Sequence, residues 1–258
     1  MKKLFFLPTA VLALFYFLFV SSIVKSDSNI NITVKESTDF TGKEFKRSEQ
    51  GCGLRKNQKG NRDEESVLNI FNSKNSKIKG GIFECSLQNV IYAKWNRNLI
   101  ISSVKASKGS DNALEIRNSK AIIKDSKFSF SPQNKCVEGE NGLLVFYNNI
   151  LENCEQGFDI EKTDSSEFTA VVFLNNEFIS IGHDAFNCHD RNNKKANKVY
   201  LFLKDNKFNK KGKKFRKFGK YSNCKKRFKI SSELENAVLN SDFERIEILV
   251  RETIKNKS

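Results

Sequence analysis

The chain has 258 residues, and its 45 Lys and Arg against 30 Asp and Glu give a net charge of +15. That length holds one repeat domain and is short for two globular domains of ordinary size. The excess of cations points to acidic partners and away from basic ones.

Met1-Lys2-Lys3 precedes an uncharged run from Leu4 to Val20, and Ser21-Ser22 follows it. A basic start, a short apolar stretch and then small residues describe a secretory signal over residues 1–26. The run is 17 residues long, near the lower limit for spanning a bilayer, so an uncleaved signal is the one expected route to a membrane. The remaining chain, about 230 residues, is then secreted or periplasmic. Its six cysteines are Cys52, Cys85, Cys136, Cys154, Cys188 and Cys224. An oxidising compartment permits three disulfides in any of 15 pairings. Cys136 with Cys154 and Cys188 with Cys224 are the pairs expected to staple neighbouring turns. No pair has CxxC spacing, and Cys188-His189 are adjacent, which speaks against zinc.

Residues 27–63 carry little periodicity and read as an irregular N-terminal section. Within it Asn29–Val34 alternates like a strand, and the polar stretch 41–65 reads as a loop. From there to residue 208 a hexapeptide recurs: Ile78–Phe83, Ile100–Lys105, Ile123–Phe128, Phe146–Leu151, Phe173–Phe178 and Leu203–Phe208. The form is apolar, any, two small turn-formers, any, then usually apolar. Starts are 22, 23, 23, 27 and 30 residues apart. A period in this range is the mark of a solenoid, and apolar runs split by Asn, Ser or Gly make its turns from strands. The expectation is an all-β parallel β-helix of about six coils over residues 64–208, working as a monomer.

A second strand recurs upstream of the hexapeptide: Val67–Ile70, Val90–Ala93, Ala113–Ile116, Cys136–Gly139, Gly157–Ile160 and Ala185–Cys188. Side chains alternate faces along a strand. Leu68, Ile91, Leu114, Val137, Phe158 and Phe186 therefore stack inside. Asn69, Tyr92, Glu115, Glu138, Asp159 and Asn187 form an outward column. The fourth hexapeptide position gives another column: Gly81, Ser103, Ser126, Asn149, Asn176 and Asn206.

Stacked Asn and Ser at a bend resemble the asparagine ladder of right-handed parallel β-helices in the pectate-lyase-like superfamily. The phrases Asn134–Gly142 and Asn153–Ile160 are similar to the repeats of that group. The resemblance covers about residues 64–208 and is specific for fold, because β-helices host lyases, hydrolases, epimerases, adhesins and passive scaffolds.

Like charges one strand apart repel or invite a cation, so Glu115, Glu138 and Asp159 are candidate ligands for Ca²⁺, which takes several oxygens. In the β-helical lyases such acids hold Ca²⁺ against a uronate carboxylate while an Arg or Lys removes a ring proton. By that resemblance Arg117, Lys94 and Arg191 are candidate bases, each needing a strongly depressed pKa. The alternative for these acids is a solvated sheet face relieved by nearby Lys94, Arg117 and Lys162. His183 and His189, each followed by Asp, stand in the densest polar segment, Ile181–Arg191. His183 is a candidate acid–base group; His189 and Glu161 are candidate substrate contacts. Tyr92 and Trp95 offer aromatic faces for a sugar ring. A hydrolase would instead use Asp159, Asp184 and Asp190.

Lys210 to Lys229 holds eleven Lys or Arg and no acid. Such a run is a solvated segment or a grip on an acidic polymer, and export favours an anionic polysaccharide over nucleic acid. Beyond it Ser232-Glu233-Leu234-Glu235 and Ser241-Asp242-Phe243-Glu244 read as capping boxes of two helices. Phe243, Ile246, Val250 and Ile254 recur at helical spacing. The segment 209–258 is expected to cap the last coil, since solenoid ends expose apolar core. The combined expectation is a protein that binds, and if catalytic cleaves by Ca²⁺-assisted β-elimination, an extracellular or envelope polysaccharide. The competing class is a non-enzymatic surface or periplasmic scaffold.

Overall fold

The computed structural model describes residues 31–47, 52, 66–162, 169–190, 198–209, 219–224 and 226–257. The signal segment and Arg191 lie outside these residues, as do residues 210–218 and 225 of the basic run. Strands of successive coils pair in parallel, in register except for a shift between Ser131 and Lys135. Each coil has three faces. Face A contains Ile32–Val34, Leu68–Phe71, Ile91–Lys94 and the rungs that continue through Leu114, Val137, Phe158 and Phe186. Face B contains Thr38–Asp39, Lys77–Lys79, Leu99–Ser102 and the rungs ending at Lys124, Tyr147, Leu174, Lys204 and Lys229. Face C contains Glu44–Lys46, Ile82–Ser86, Lys105–Gly109 and the rungs starting at Lys127, Ile150, Glu177 and Lys207.

The fold is thus a parallel β-solenoid of about six coils, as expected, with a short extra coil at the start and an incomplete one at the end. Residues 32–46, part of the stretch read as irregular, already make three short strands beneath the first repeat. Gly219–Ser222 and Lys226–Lys229 continue the pairing past residue 208.

Leu68, Ile91, Leu114, Val137, Phe158 and Phe186 stand in one register column and are all fully buried. Phe rings fill the wider coils: Phe146 stacks on Phe173 at 5.1 Å and Phe178 on Phe208 at 5.2 Å between centroids. Such pairs add about 0.5–1.5 kcal/mol beyond the area they bury.

Sharp corners explain the abundant Asn. A left-handed residue occupies each bend, and Asn and Asp tolerate that conformation better than other side chains. At the A/B corner these are Asn72, Trp95, Asn118 and Asn141; at the B/C corner they are Ser103, Asp125, Asn148, Asn175 and Asp205. The next residue at the B/C corner points inward and forms the ladder. Asn149 takes the Ser126 amide at 3.0 Å and donates to Ile123 O at 2.9 Å; Asn176 and Asn206 repeat the pattern. One rung differs from the sequence reading. Ile101, not Ile100, pairs with Ile78 and Ile123, so Val104 rather than Ser103 occupies the ladder position. Adjacent Ile residues leave the hexapeptide frame ambiguous there. A second, shorter ladder runs through Ser73, Asn96 and Ser119 at the A/B corner.

The three disulfides are Cys52–Cys85, Cys136–Cys154 and Cys188–Cys224. The two pairs expected from sequence form, and the third links the remaining cysteines.

Helices α1 (Ser232–Leu239) and α2 (Phe243–Lys255) start one residue away from the expected caps. Ser231 accepts from the Leu234 amide at 3.2 Å and Asp242 from the Arg245 amide at 3.0 Å. Ser241 is left-handed, φ +55°, and so cannot be the extended N-cap. The pair lies along the outside of face B rather than confined to the final coil. Leu234, Val238, Ile246 and Val250 bury against Ile122, Val145, Val172 and Phe202. Lys120 contacts Glu247, and Lys204 lies 2.5 Å from Glu235. Beneath the helices face B is therefore apolar on both sides, which is why Ala170–Leu174 reads as an unbroken apolar run. Among the described residues, no helix is long and apolar enough to cross a membrane.

Candidate functional site

The outer side of face A carries two adjacent columns. One is Asn69, Tyr92, Glu115, Glu138, Asp159 and Asn187; the other, two positions on, is Phe71, Lys94, Arg117, Glu140, Glu161 and His189. Alternation places the side chains of Asn69 to Asn187 in the first column and Phe71 to Glu161 in the second outward, and the parallel register brings five carboxylates onto three rungs. They are not a solvated face, however. Glu115 is 0% exposed, and Glu138, Glu140, Asp159 and Glu161 are buried too.

Two cations bridge the five acids. Arg117 contacts Glu115 and lies 3.0 Å from Glu140 and 3.7 Å from Glu138. Lys135 lies 2.9 Å from Glu138, 2.5 Å from Asp159 and 4.0 Å from Glu161. The side-chain amides of Asn89 and Asn112, at the C/A corner, donate to Glu115 and Glu138. Burial by itself would lower the pKa of both cations, but the surrounding carboxylates outweigh it and raise both.

That shift opposes the base role expected of Arg117. A guanidinium held by three carboxylates keeps its proton, whereas a base must lose one. The donor set also does not fit a resident Ca²⁺. Glu115, Glu138 and Glu140 offer oxygens within 4.8 Å of one another, but Arg117 already sits among them, and Asp159, the third expected ligand, is turned to Lys135. A cation there would have to displace the guanidinium, so no step is routed through one.

The other expected residues disperse. His183 is exposed at the C/A corner, 3.7 Å from Glu155, while the His189 backbone pairs with Glu161 on face A. Asp184 is half-buried at that corner, and the Asp190 backbone pairs with Lys162, so neither shares the Asp159 column. Tyr92 is 2% exposed and meets Phe71 edge-on at 5.6 Å, which removes it as a sugar platform. Trp95 is 52% exposed at the A/B corner, with Lys94 Nζ 3.9 Å from its ring centroid.

Sequence reasoning missed Lys135 and Glu140. Glu140 is legible as the second outward position of its strand. Lys135 is not, because it enters the site through a register shift between Ser131 and Lys135. Also missed is a groove of about 570 Å³ along the B/C corner, lined by Ser103–Lys105, Asp125–Lys127, Asn148–Ile150, Asn175–Glu177 and Lys207. Its floor repeats by rung: Asn148 donates to Asp125 at 2.7 Å, and Asn175 to Asn148 at 3.3 Å. No protein-family model matches the chain, and no curated protein matches it.

Proposed function

We propose that this is an exported, non-catalytic protein that binds an extended acidic polysaccharide along the B/C corner. The observation that carries the reading is the groove in which Ser103, Asp125, Asn148 and Asn175 repeat once per rung. Rungs lie about 4.8 Å apart, close to the advance per sugar of an extended glycan. Carboxamides meet hydroxyls as donors or acceptors, and carboxylates accept from them. Lys105, Lys127 and Lys207 line the same groove and complement acidic groups on the chain.

Export is supported by the three disulfides, which persist in oxidising compartments. Binding without cleavage is supported by the face A acids, which are buried and engaged by Arg117 and Lys135 rather than open to a substrate. The test is affinity electrophoresis through gels containing alginate, pectate, glycosaminoglycan or neutral glucan, with ultraviolet absorbance of digests run alongside. Wild-type protein should be retarded by acidic polymers and release no unsaturated product. Asn148→Gly/Asn175→Gly removes two carboxamides at left-handed positions that glycine adopts freely. It should fold and lose about tenfold in affinity, the order of one to two hydrogen bonds. Equal retardation of variant and wild type, or none by any polymer, overturns the reading.

A further inference from the structure

Trp95 occupies a backbone position that the fold otherwise gives to asparagine. Its φ is +57°, and the residues in the same left-handed column are Asn72, Asn118 and Asn141. A bulky side chain is strained in that region, and such strain, where observed, marks candidate function. The indole is also half exposed, unlike the aromatic rings that fill the interior.

The surroundings are built rather than incidental. Asn96, the next residue, is buried and locks the corner: it accepts from Ser73 N at 3.0 Å, donates to Ile70 O at 2.9 Å and binds Ser119 Oγ through its amide at 3.0 Å. The indole is thus held on a rigid base, which lowers the ordering cost of binding. Around it is a cavity of about 420 Å³ lined by Asn72, Ser73, Lys74, Trp95, Arg97 and Asn118. Lys74 and Arg97 bridge neighbouring rungs, and Lys94 packs on one face of the indole. Among the described residues, no carboxylate lies within ion-pair distance of Lys74, Lys94 or Arg97. The contrast with Arg117 and Lys135, both held by acids, is complete.

We infer that the A/B corner at Trp95 is a binding site for an anionic sugar ring, a uronate or a sulfated pyranose. The open part of the indole stacks on the apolar face of the ring. Arg97 and Lys74 take the carboxylate or sulfate, and Asn72 and Asn118, one rung to either side, meet its hydroxyls. The site is separate from the B/C groove, and it narrows the acidic-polysaccharide reading to a specific recognition unit.

Trp95 is the only tryptophan of the chain, so its emission reports this corner directly. The full chain is titrated at low salt with oligogalacturonate, sulfated oligosaccharide, neutral malto-oligosaccharide, polyphosphate and single-stranded oligonucleotide. A saturable change with the first or second, and none with the neutral chain or polyphosphate, is expected; the tighter of the two identifies the anion. Arg97→Ala should weaken binding about fivefold, the order of one exposed ion pair. Trp95→Asn, read by calorimetry in the Asn148→Gly/Asn175→Gly background so that the groove adds little heat, should abolish binding while its melting temperature stays level or rises, because strain is relieved. Asn148→Gly/Asn175→Gly should leave this titration unchanged, which separates failure here from failure of the groove. Equal response to polyphosphate or the neutral chain overturns the inference. So does tighter binding of the oligonucleotide, or full binding by Trp95→Asn.

Discussion

The Lys135 ammonium lies 2.9 Å from Glu138 on its own rung and 2.5 Å from Asp159 on the next. A single side chain from the C/A corner therefore ties two rungs of face A together through buried charge. Breaking a buried pair by removing one partner leaves an uncompensated charge and costs about 3–5 kcal/mol.

Lys135→Met should lower stability by about that amount, seen as a lower urea midpoint with an unchanged slope. The sign of the pH dependence follows from the raised pKa of Lys135. Its contribution is complete below the ordinary lysine value of about 10.4 and is lost only as pH rises through the higher folded value. Wild type should therefore show no Lys135-dependent loss between neutrality and about pH 10.

Arg117→Ala should convert the acid cluster into a cation-dependent one. Wild-type melting should not respond to millimolar Ca²⁺, because the guanidinium sits among Glu115, Glu138 and Glu140. The variant should melt lower and recover on adding Ca²⁺. A wild-type melting temperature that climbs with Ca²⁺ would contradict this account.

Asn149→Ala should remove the acceptor of the Ser126 amide and the donor to Ile123 O. Buried groups left unpaired cost about 1–3 kcal/mol each, so a loss of about 3 kcal/mol is expected. Hydrogen exchange at the Ser126 amide should accelerate. Asn149→Ser should lose less, since Ser126 fills the same position for Val104.

Acid should loosen the helices first. The hydrogen bond from Lys120, followed by that from Arg251, holds the Glu247 carboxyl below its ordinary value. A depressed carboxylate stabilises above its unfolded pKa of about 4.3, and the effect is lost as pH falls through the folded value. Helical circular dichroism should decline in that range, and Glu247→Gln should remove the pH-dependent part.

The solenoid was legible because its period is nearly fixed and its alternation is strict on face A. Leu114, Val137 and Phe158 stack as their spacing implies. The slip at Ile100 and Ile101 arises where alternation fails, and it fails because the helices cover the outside of face B. The alternation of Asn29–Val34 was legible and Ile32–Val34 is a strand, whereas Thr38–Asp39 and Glu44–Lys46 escaped notice since strands of two or three residues show no readable pattern by themselves. The site was half legible. Columns of acids follow from period-two spacing, but their burial depends on cross-rung partners. Arg117 meets Glu140 only through register, and Lys135 arrives through an irregular corner. Trp95 was visible as a lone aromatic, whereas its left-handed backbone emerges only when the corner is built.

Repeat arrays in which each unit touches only its neighbours tend to fray from their ends, one unit at a time. The helical pair works against this as a splint. Contacts 31 residues apart at Lys204–Glu235 and 127 apart at Lys120–Glu247 fasten the same two helices to widely separated coils. Coils that would otherwise melt in sequence are thereby bound to a common fate.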